Sequence, residues 1–95
     1  MNIGKAIREL RKEKGLNQTE FAHATGLTQT SLSQIESGAK KPNTGTMKKI
    51  CDFFGVPEAV IYILATEISD IPQHKQDLYV KMFPNLKLAF LDIFK

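Results

Sequence analysis

Residues 17–38 pack two short amphipathic segments so close together that they can fold only as a pair of steeply crossing helices. Asn17 caps the first, and Glu20 at its third position returns a hydrogen bond to complete a capping box. Phe21, Ala22 and Ala24 lead to Thr25-Gly26, where a residue able to take positive φ stops the helix. Thr28 then caps a second segment, Gln29 to Ser37, which Gly38 ends. Ala22 is small where the two helices approach, and Leu32 and Ile35, three apart, form the inward stripe of the second.

The flanking sequence reads as further helices. Ile3, Ile7 and Leu10 recur at i, i+4 and i+7 with Lys5, Arg8, Glu9, Arg11 and Lys12 around the other sides, and Gly15 closes that helix. After Gly38 comes a basic loop, Ala39-Lys40-Lys41-Pro42-Asn43. A fourth helix is expected from about Thr46 to Phe54, burying Met47, Ile50, Phe53 and Phe54, with Thr44-Gly45 a weak opening for it. A fifth, from about Pro57 to Ala65, carries Val60, Ile61, Ile63 and Leu64. With no convincing strand, the expectation is an all-α fold whose five helices fill residues 1–65, with a short helical extension over 66–95.

Ninety-five residues support one small core, thin enough for a second chain to complete. No apolar run of about 18 residues suggests a membrane span. The opening Met1-Asn2-Ile3-Gly4-Lys5 leads into charge and lacks the apolar centre of a signal peptide, so a cytoplasmic location is expected. Cys51, the single cysteine, reads as a small buried hydrophobe. Neither His23 nor His74 stands at metal spacing from a Cys or acidic cluster, and no glycine-rich phosphate loop or nucleophile–base pair occurs. No enzyme, metal or cofactor is expected.

Charge is distributed unevenly. Residues 1–50 hold nine Lys/Arg against four Asp/Glu, a net of +5, whereas residues 51–95 hold four against six, a net of −2. A basic front half suits a module that offers one end to a polyanion. The crossing helix pair names the polyanion: such a helix-turn-helix lays its second helix in the major groove of DNA. With Leu32 and Ile35 inward, rotation of about 100° per residue turns Thr30, Ser33, Gln34 and Ser37 outward, with Gln29 at the first exposed turn. That face consists of hydroxyls and carboxamides. Gln bonds adenine in a bidentate way, and Ser or Thr bonds several bases or touches the thymine methyl. The outward groups, Gln29, Thr30, Ser33, Gln34 and Ser37, therefore suit base edges. Gln18 at a helix N-terminus, Thr28, Ser37, Lys40 and Lys41 are the expected backbone contacts. Lys5, Arg8 and Lys12 read as a solvated face that adds general attraction.

The stretches Gly15-Leu16-Asn17-Gln18-Thr19-Glu20-Phe21-Ala22 and Gly26 to Gly38, continuing through Pro42 to Phe53-Phe54-Gly55-Val56, resemble the Cro/repressor (XRE-type) helix-turn-helix family, which includes lambdoid phage repressors and restriction-modification controller proteins. The resemblance covers roughly residues 3–65. It implies a compact five-helix domain, a homodimer on a palindromic operator, base contacts from Gln29, Thr30, Ser33 and Gln34, and Gln18 near the backbone. It also implies that Arg11 and Glu36 bridge the first and third helices, which makes Arg11 mainly structural.

Residues 66–95 lie outside the resemblance. Ser69 or Asp70 caps a helix with Pro72 in its first turn, along which Ile71, Leu78 and Met82 share one side beside Tyr79 and Phe83. Pro84 is expected to break it and start another, whose stripe is Leu86, Ala89, Phe90, Ile93 and Phe94, with Leu88 and Leu91 on the other side. A strand over 87–91 is the weaker option. A helix apolar on two sides suits a dimer-forming tail, and Ile61, Leu64, Leu86, Leu88, Phe90, Leu91, Ile93 and Phe94 are the expected dimerisation residues. A core-completing flap and a site for a ligand or another protein remain the alternatives.

The expected function is a sequence-specific transcriptional regulator, a repressor in the first instance, with double-stranded DNA and a second copy as partners. RNA polymerase is a further partner if it activates. Two alternatives stand beside it. One is an antitoxin that represses its own operon and holds a toxin protein. The other is a protein-interaction module that has lost DNA binding, against which the polar reading face and Lys40-Lys41 argue.

Overall fold

The computed structural model describes residues 1–94, which form six α-helices and, among the described residues, no strand. Helix α1 (Ile3–Glu13) starts where the Asn2 carboxamide accepts from the Lys5 amide at 3.0 Å. Helix α2 (Gln18–Thr25) carries the expected reciprocal box: Asn17 Oδ1 accepts from the Glu20 amide at 2.8 Å, and Glu20 Oε1 accepts from the Asn17 amide at 3.0 Å. It stops at Gly26, whose φ of 71° costs a residue without Cβ nothing. Helix α3 (Gln29–Ser37) is capped by the Thr28 hydroxyl.

Helix α4 (Thr44–Phe54) begins two residues before the expected start. Asn43, not the Thr44-Gly45 pair, makes the opening: its side chain accepts from the Thr46 amide at 2.8 Å. Helix α5 (Glu58–Ala65) follows Pro57, which supplies no side-chain cap.

The core lies where α1 packs along α5 and α3, and α2 along α3 and α4. Phe21, Ile7, Leu10, Leu32, Ile35, Ile50 and Ile61 are its largest fully buried side chains. Phe21, Phe53 and Phe54 meet as a triangle with ring centroids 5.1–5.3 Å apart, tying α2 to α4. The α1–α3 contact depends on Gly4: a Cβ there would stand 2.2 Å from the Ile35 carbonyl oxygen and 2.9 Å from that of Glu36. The glycine lets the start of α1 lie directly on the last turn of α3.

Beyond residue 65 two expectations give way. Asp70 does not cap a long helix; its carboxylate accepts from the Glu67 amide at 2.8 Å and closes a 3₁₀ turn, Ile68–Asp70. After a second such turn, Gln73–Lys75, one helix α6 (Gln76–Phe94) runs to the end of the described residues with Pro84 inside it. An interior proline costs about 3 kcal/mol through its missing N–H and a clash with the carbonyl four residues back. Contacts on both sides offset that. Before it, Tyr79 stacks on Phe83 at 4.7 Å within the helix and its Oη donates to the Thr66 carbonyl at 3.0 Å; after it, Phe90, Leu91 and Phe94 pack against the core. The carbonyl left without its partner is that of Val80, an exposed residue open to water.

Candidate nucleic-acid interface

Helix α3 is held to the fold by Leu32 and Ile35, both essentially inaccessible, and turns Gln29, Thr30, Gln34 and Ser37 to the surface with Ser33 half-exposed. The rotation inferred from the sequence is therefore the one the helix adopts. Its one charged residue, Glu36, points inward, so the outer face is uncharged.

Beneath that face lies a buried ion pair. Arg11 Nε donates to Glu36 Oε2 at 2.8 Å and Arg11 Nη2 to Glu36 Oε1 at 2.9 Å, with side chains only 8% and 3% exposed. Arg11 Nη1 donates to the Leu16 carbonyl at 2.8 Å. The bidentate fork fixes both groups, and the extra hydrogen bond satisfies the guanidinium's remaining side. Arg11 is thus a structural residue joining α1, α3 and the turn into α2.

The network continues outward to the reading face. Gln18 Nε2 donates to Glu36 Oε1 at 3.1 Å, and Gln29 Nε2 donates to Gln18 Oε1 at 3.2 Å. A carboxylate only accepts, so Glu36 obliges Gln18 to turn its amide nitrogen inward and its oxygen toward Gln29. Gln29 then spends one N–H on Gln18 and keeps a carbonyl oxygen and a second N–H for an incoming base. Gln18 is accordingly a strut between the ion pair and Gln29 as well as a group at the α2 N-terminus. Residue spacing alone did not reveal that link, because positions 11, 18, 29 and 36 meet only once three helices cross.

The other expected backbone contacts differ in how committed they are. The Thr28 hydroxyl accepts from the Ser31 amide at 3.0 Å as the α3 cap, and Ser37 Oγ donates to the Gln34 carbonyl at 3.1 Å. Lys40 and Lys41 are exposed just past α3. Arg8, which sequence reasoning treated as general surface charge, instead rims a 250 Å³ hollow shared with Arg11, Gln18, Ser33, Glu36 and Ser37. The signal available in sequence was its place one turn before Arg11 on α1, hence on the side that meets α3.

The expected dimerisation set divides. Ile61 and Leu64 are 0% and 3% exposed within the chain's own core, so the expectation that they serve a subunit interface is corrected: α5 uses them against α1. Phe90, Leu91 and Phe94 are half-buried against the same core, whereas Leu86, Leu88 and Ile93 are 47%, 62% and 69% exposed. Among the described residues, no three His, Cys, Asp or Glu side chains gather to hold a metal ion, and His23 and His74 are exposed. No helix of the described residues is long and apolar enough to cross a membrane.

A tight turn joining α2 to α3, an outward uncharged polar face on α3 and basic residues beside it define a helix-turn-helix of the DNA-binding kind. The chain belongs to the Cro/repressor (XRE-type) helix-turn-helix family: the family profile, described as helix-turn-helix, matches residues 7–61. It is 48% identical over 48 residues to the ImmF control region 10 kDa protein of Bacillus phage phi105, covering 50% of this chain and 53% of that protein. It is 40% identical over 53 residues to the cryptic phage CTXphi transcriptional repressor RstR of Vibrio cholerae, covering 56% and 48%. It is also 43% identical over 54 residues to the antitoxin PezA of Streptococcus pneumoniae serotype 4, covering 57% and 34%. The chain thus spans about half, or less, of the length of these relatives.

Proposed function

We propose that this protein is a sequence-specific transcriptional repressor that binds a palindromic operator as a homodimer, reading bases with Gln29, Thr30, Ser33 and Gln34. The observation that carries the reading is the outer face of α3: hydroxyls and amides without charge, on a helix locked from behind by a desolvated ion pair. A merely solvated face would carry Lys and Glu. Gln29 engages an adenine edge with its remaining donor and acceptor, and Gln34 reads one turn further along the groove. Arg8, Lys40 and Lys41 neutralise phosphates on either side, supplying affinity without sequence information. Residues 66–95 act as the dimerising extension of the domain formed by residues 1–65, setting two α3 helices about 34–36 Å apart, one turn of DNA. A repressor among the relatives supports this sign of regulation.

Selection of bound sequences from random DNA tests the proposal. A two-fold symmetric consensus with half-sites one helical turn apart is the expected result; recovery of random sequence at every salt concentration would refute base readout. One second reading has an observation behind it, the likeness to an antitoxin. On that reading the same operator binding is autorepression, and a small protein encoded beside the gene copurifies with this chain.

A further inference from the structure

We infer that the hollow between α1, the turn after α5 and the middle of α6 is a binding site for a small aryl carboxylate. The inference is independent of the DNA reading. No residue of α2 or α3 lines this hollow, so the reading face stays free while it is filled.

The hollow has a volume of 520 Å³. Small-molecule sites span roughly 300–1,000 Å³ and combine apolar walls with a few placed polar groups. Here Ile68, Tyr79, Val80, Phe83 and Pro84 form the apolar wall. Ile68 and Val80 are 45% and 56% exposed, so the wall is open to an incoming molecule. The Tyr79 and Phe83 rings stack with centroids 4.7 Å apart and planes at 20°. A third flat ring extends such a pair by offset or edge-to-face contact, which makes an aromatic body the fitting one.

Pro84 separates this wall from incidental surface. The contacts that offset the proline keep α6 continuous, but they do not require a proline at position 84, where an ordinary helix former would carry no such cost. Breaks with local rules gather at functional sites, and this one sets a rigid apolar ring in the wall of the hollow.

Charge selects the head group. Of the three charged residues at the hollow, two are already paired. Lys87 Nζ lies 2.9–3.0 Å from the Glu9 carboxylate oxygens, and Glu67 takes the Met1 ammonium at 2.9 Å. The hydroxyls are committed as well: Thr66 Oγ1 donates to the Tyr62 carbonyl at 3.0 Å, and Tyr79 Oη to the Thr66 carbonyl at 3.0 Å. Among the described residues, the Lys5 ammonium has no carboxylate partner. One uncompensated cation beside an apolar wall suits a monoanion joined by a short link to a ring, and it repels an amine of the same shape.

The test titrates the full chain, labelled with nitrogen-15, with 2-naphthylacetate and follows the amide chemical shifts. Saturable shifts at residues 66–68, at 79–87 and in the first turn of α1, with Kd below about 1 mM, are expected. Lys5→Glu raises Kd at least about fivefold, whereas Lys5→Arg keeps it within about twofold. Val80→Glu, which puts a carboxylate in the wall, weakens binding likewise. Lys81→Glu, an exposed change of the same sign on α6 but outside the hollow, leaves Kd within about twofold. The neutral isostere 2-naphthylacetamide binds at least about fivefold more weakly than the carboxylate, and 2-(2-naphthyl)ethylamine more weakly still. The dispersed amide spectrum of each variant reports that it is folded. Shifts that climb without saturating, that spread over the α3 face, or that the amine reproduces at the same concentration overturn the site. Parental affinity in Lys5→Glu does so too.

Discussion

Replacing Glu36 by Gln keeps the shape of the side chain and removes only its charge, which isolates what the buried pair contributes. The Arg11 guanidinium would remain, at 8% exposure, facing a neutral amide that offers one oxygen where the carboxylate offered two. Stranding one member of a buried pair costs about 3–5 kcal/mol, because the remaining charge keeps its desolvation penalty and loses its compensation. A chain of this size has a total stability of about 5–14 kcal/mol, so the loss removes about a fifth of it or more. In urea, with a slope of about 1–1.5 kcal/mol per molar, the midpoint falls by about 2–5 M. Unfolding followed by circular dichroism at 25 °C, including the folded fraction without denaturant, measures the change. Arg11→Met combined with Glu36→Leu removes both charges at once. That variant should lie within about 2 kcal/mol of the parent, its residual cost coming from the Leu16 carbonyl that Arg11 no longer serves. The reasoning is refuted if Glu36→Gln costs less than about 1 kcal/mol, the range of a surface bridge, or if the double variant is as unstable as the two single changes added together. The double variant also separates folding from reading: Gln18 loses the acceptor that orients it, so base preference opposite Gln29 should relax although the fold is intact.

Gln29→Ala and Gln34→Ala should each weaken binding to the selected operator by about 1–3 kcal/mol and broaden base preference, while Lys40→Ala weakens all DNA alike and lowers the salt slope by about 1; fluorescence titrations at several salt concentrations distinguish the two patterns. Gly4→Ala should destabilise the chain by at least about 2 kcal/mol, since the new methyl meets the backbone oxygen of Ile35 and not a yielding side chain, and thermal melts read this directly. Burial, with the Glu58 and Asp52 carboxylates adding to it, pushes the Cys51 thiol above its ordinary value. The folded chain should therefore resist alkylation until it is unfolded. The sign of the linkage follows: Cys51's contribution to stability is complete below about pH 8.5, the pKa of a free thiol, and declines as pH rises through the higher folded value. Denaturation of Cys51→Ala against pH should lack that decline.

How much could be read without coordinates depended on the range of the interaction involved. The Asn17–Glu20 box, the Thr28 cap and the turn at Gly26 are contacts between residues at most a few positions apart, so their chemistry is written locally. The face of α3 was equally legible, because Leu32 and Ile35 at helical spacing dictate which residues turn outward. At α4 the local rule misled by two residues: Asn43 outranked the weak Thr44-Gly45 opening.

The tail shows the limit most clearly. A proline in mid-helix is a local prohibition, and only contacts on both sides of it, Tyr79 with the Thr66 carbonyl and Phe90 with the core, make the longer helix the lower-energy choice. The fate of Ile61 and Leu64 was likewise undecidable from α5 alone, since an apolar helix serves a core or an interface equally well until α1 is seen lying on it. The sequence by itself determined the helix-turn-helix, its caps and the chemistry of its reading face, because those follow from nearest-neighbour hydrogen bonding and helical period. The tertiary structure decided that Arg11, Glu36, Gln18 and Gln29 form one connected network, that Gly4 is a point of backbone contact, and which stripe of α6 stays bare. Each of those depends on segments distant in the chain being brought within hydrogen-bonding or van der Waals reach, and nothing short of the packed helices specifies that.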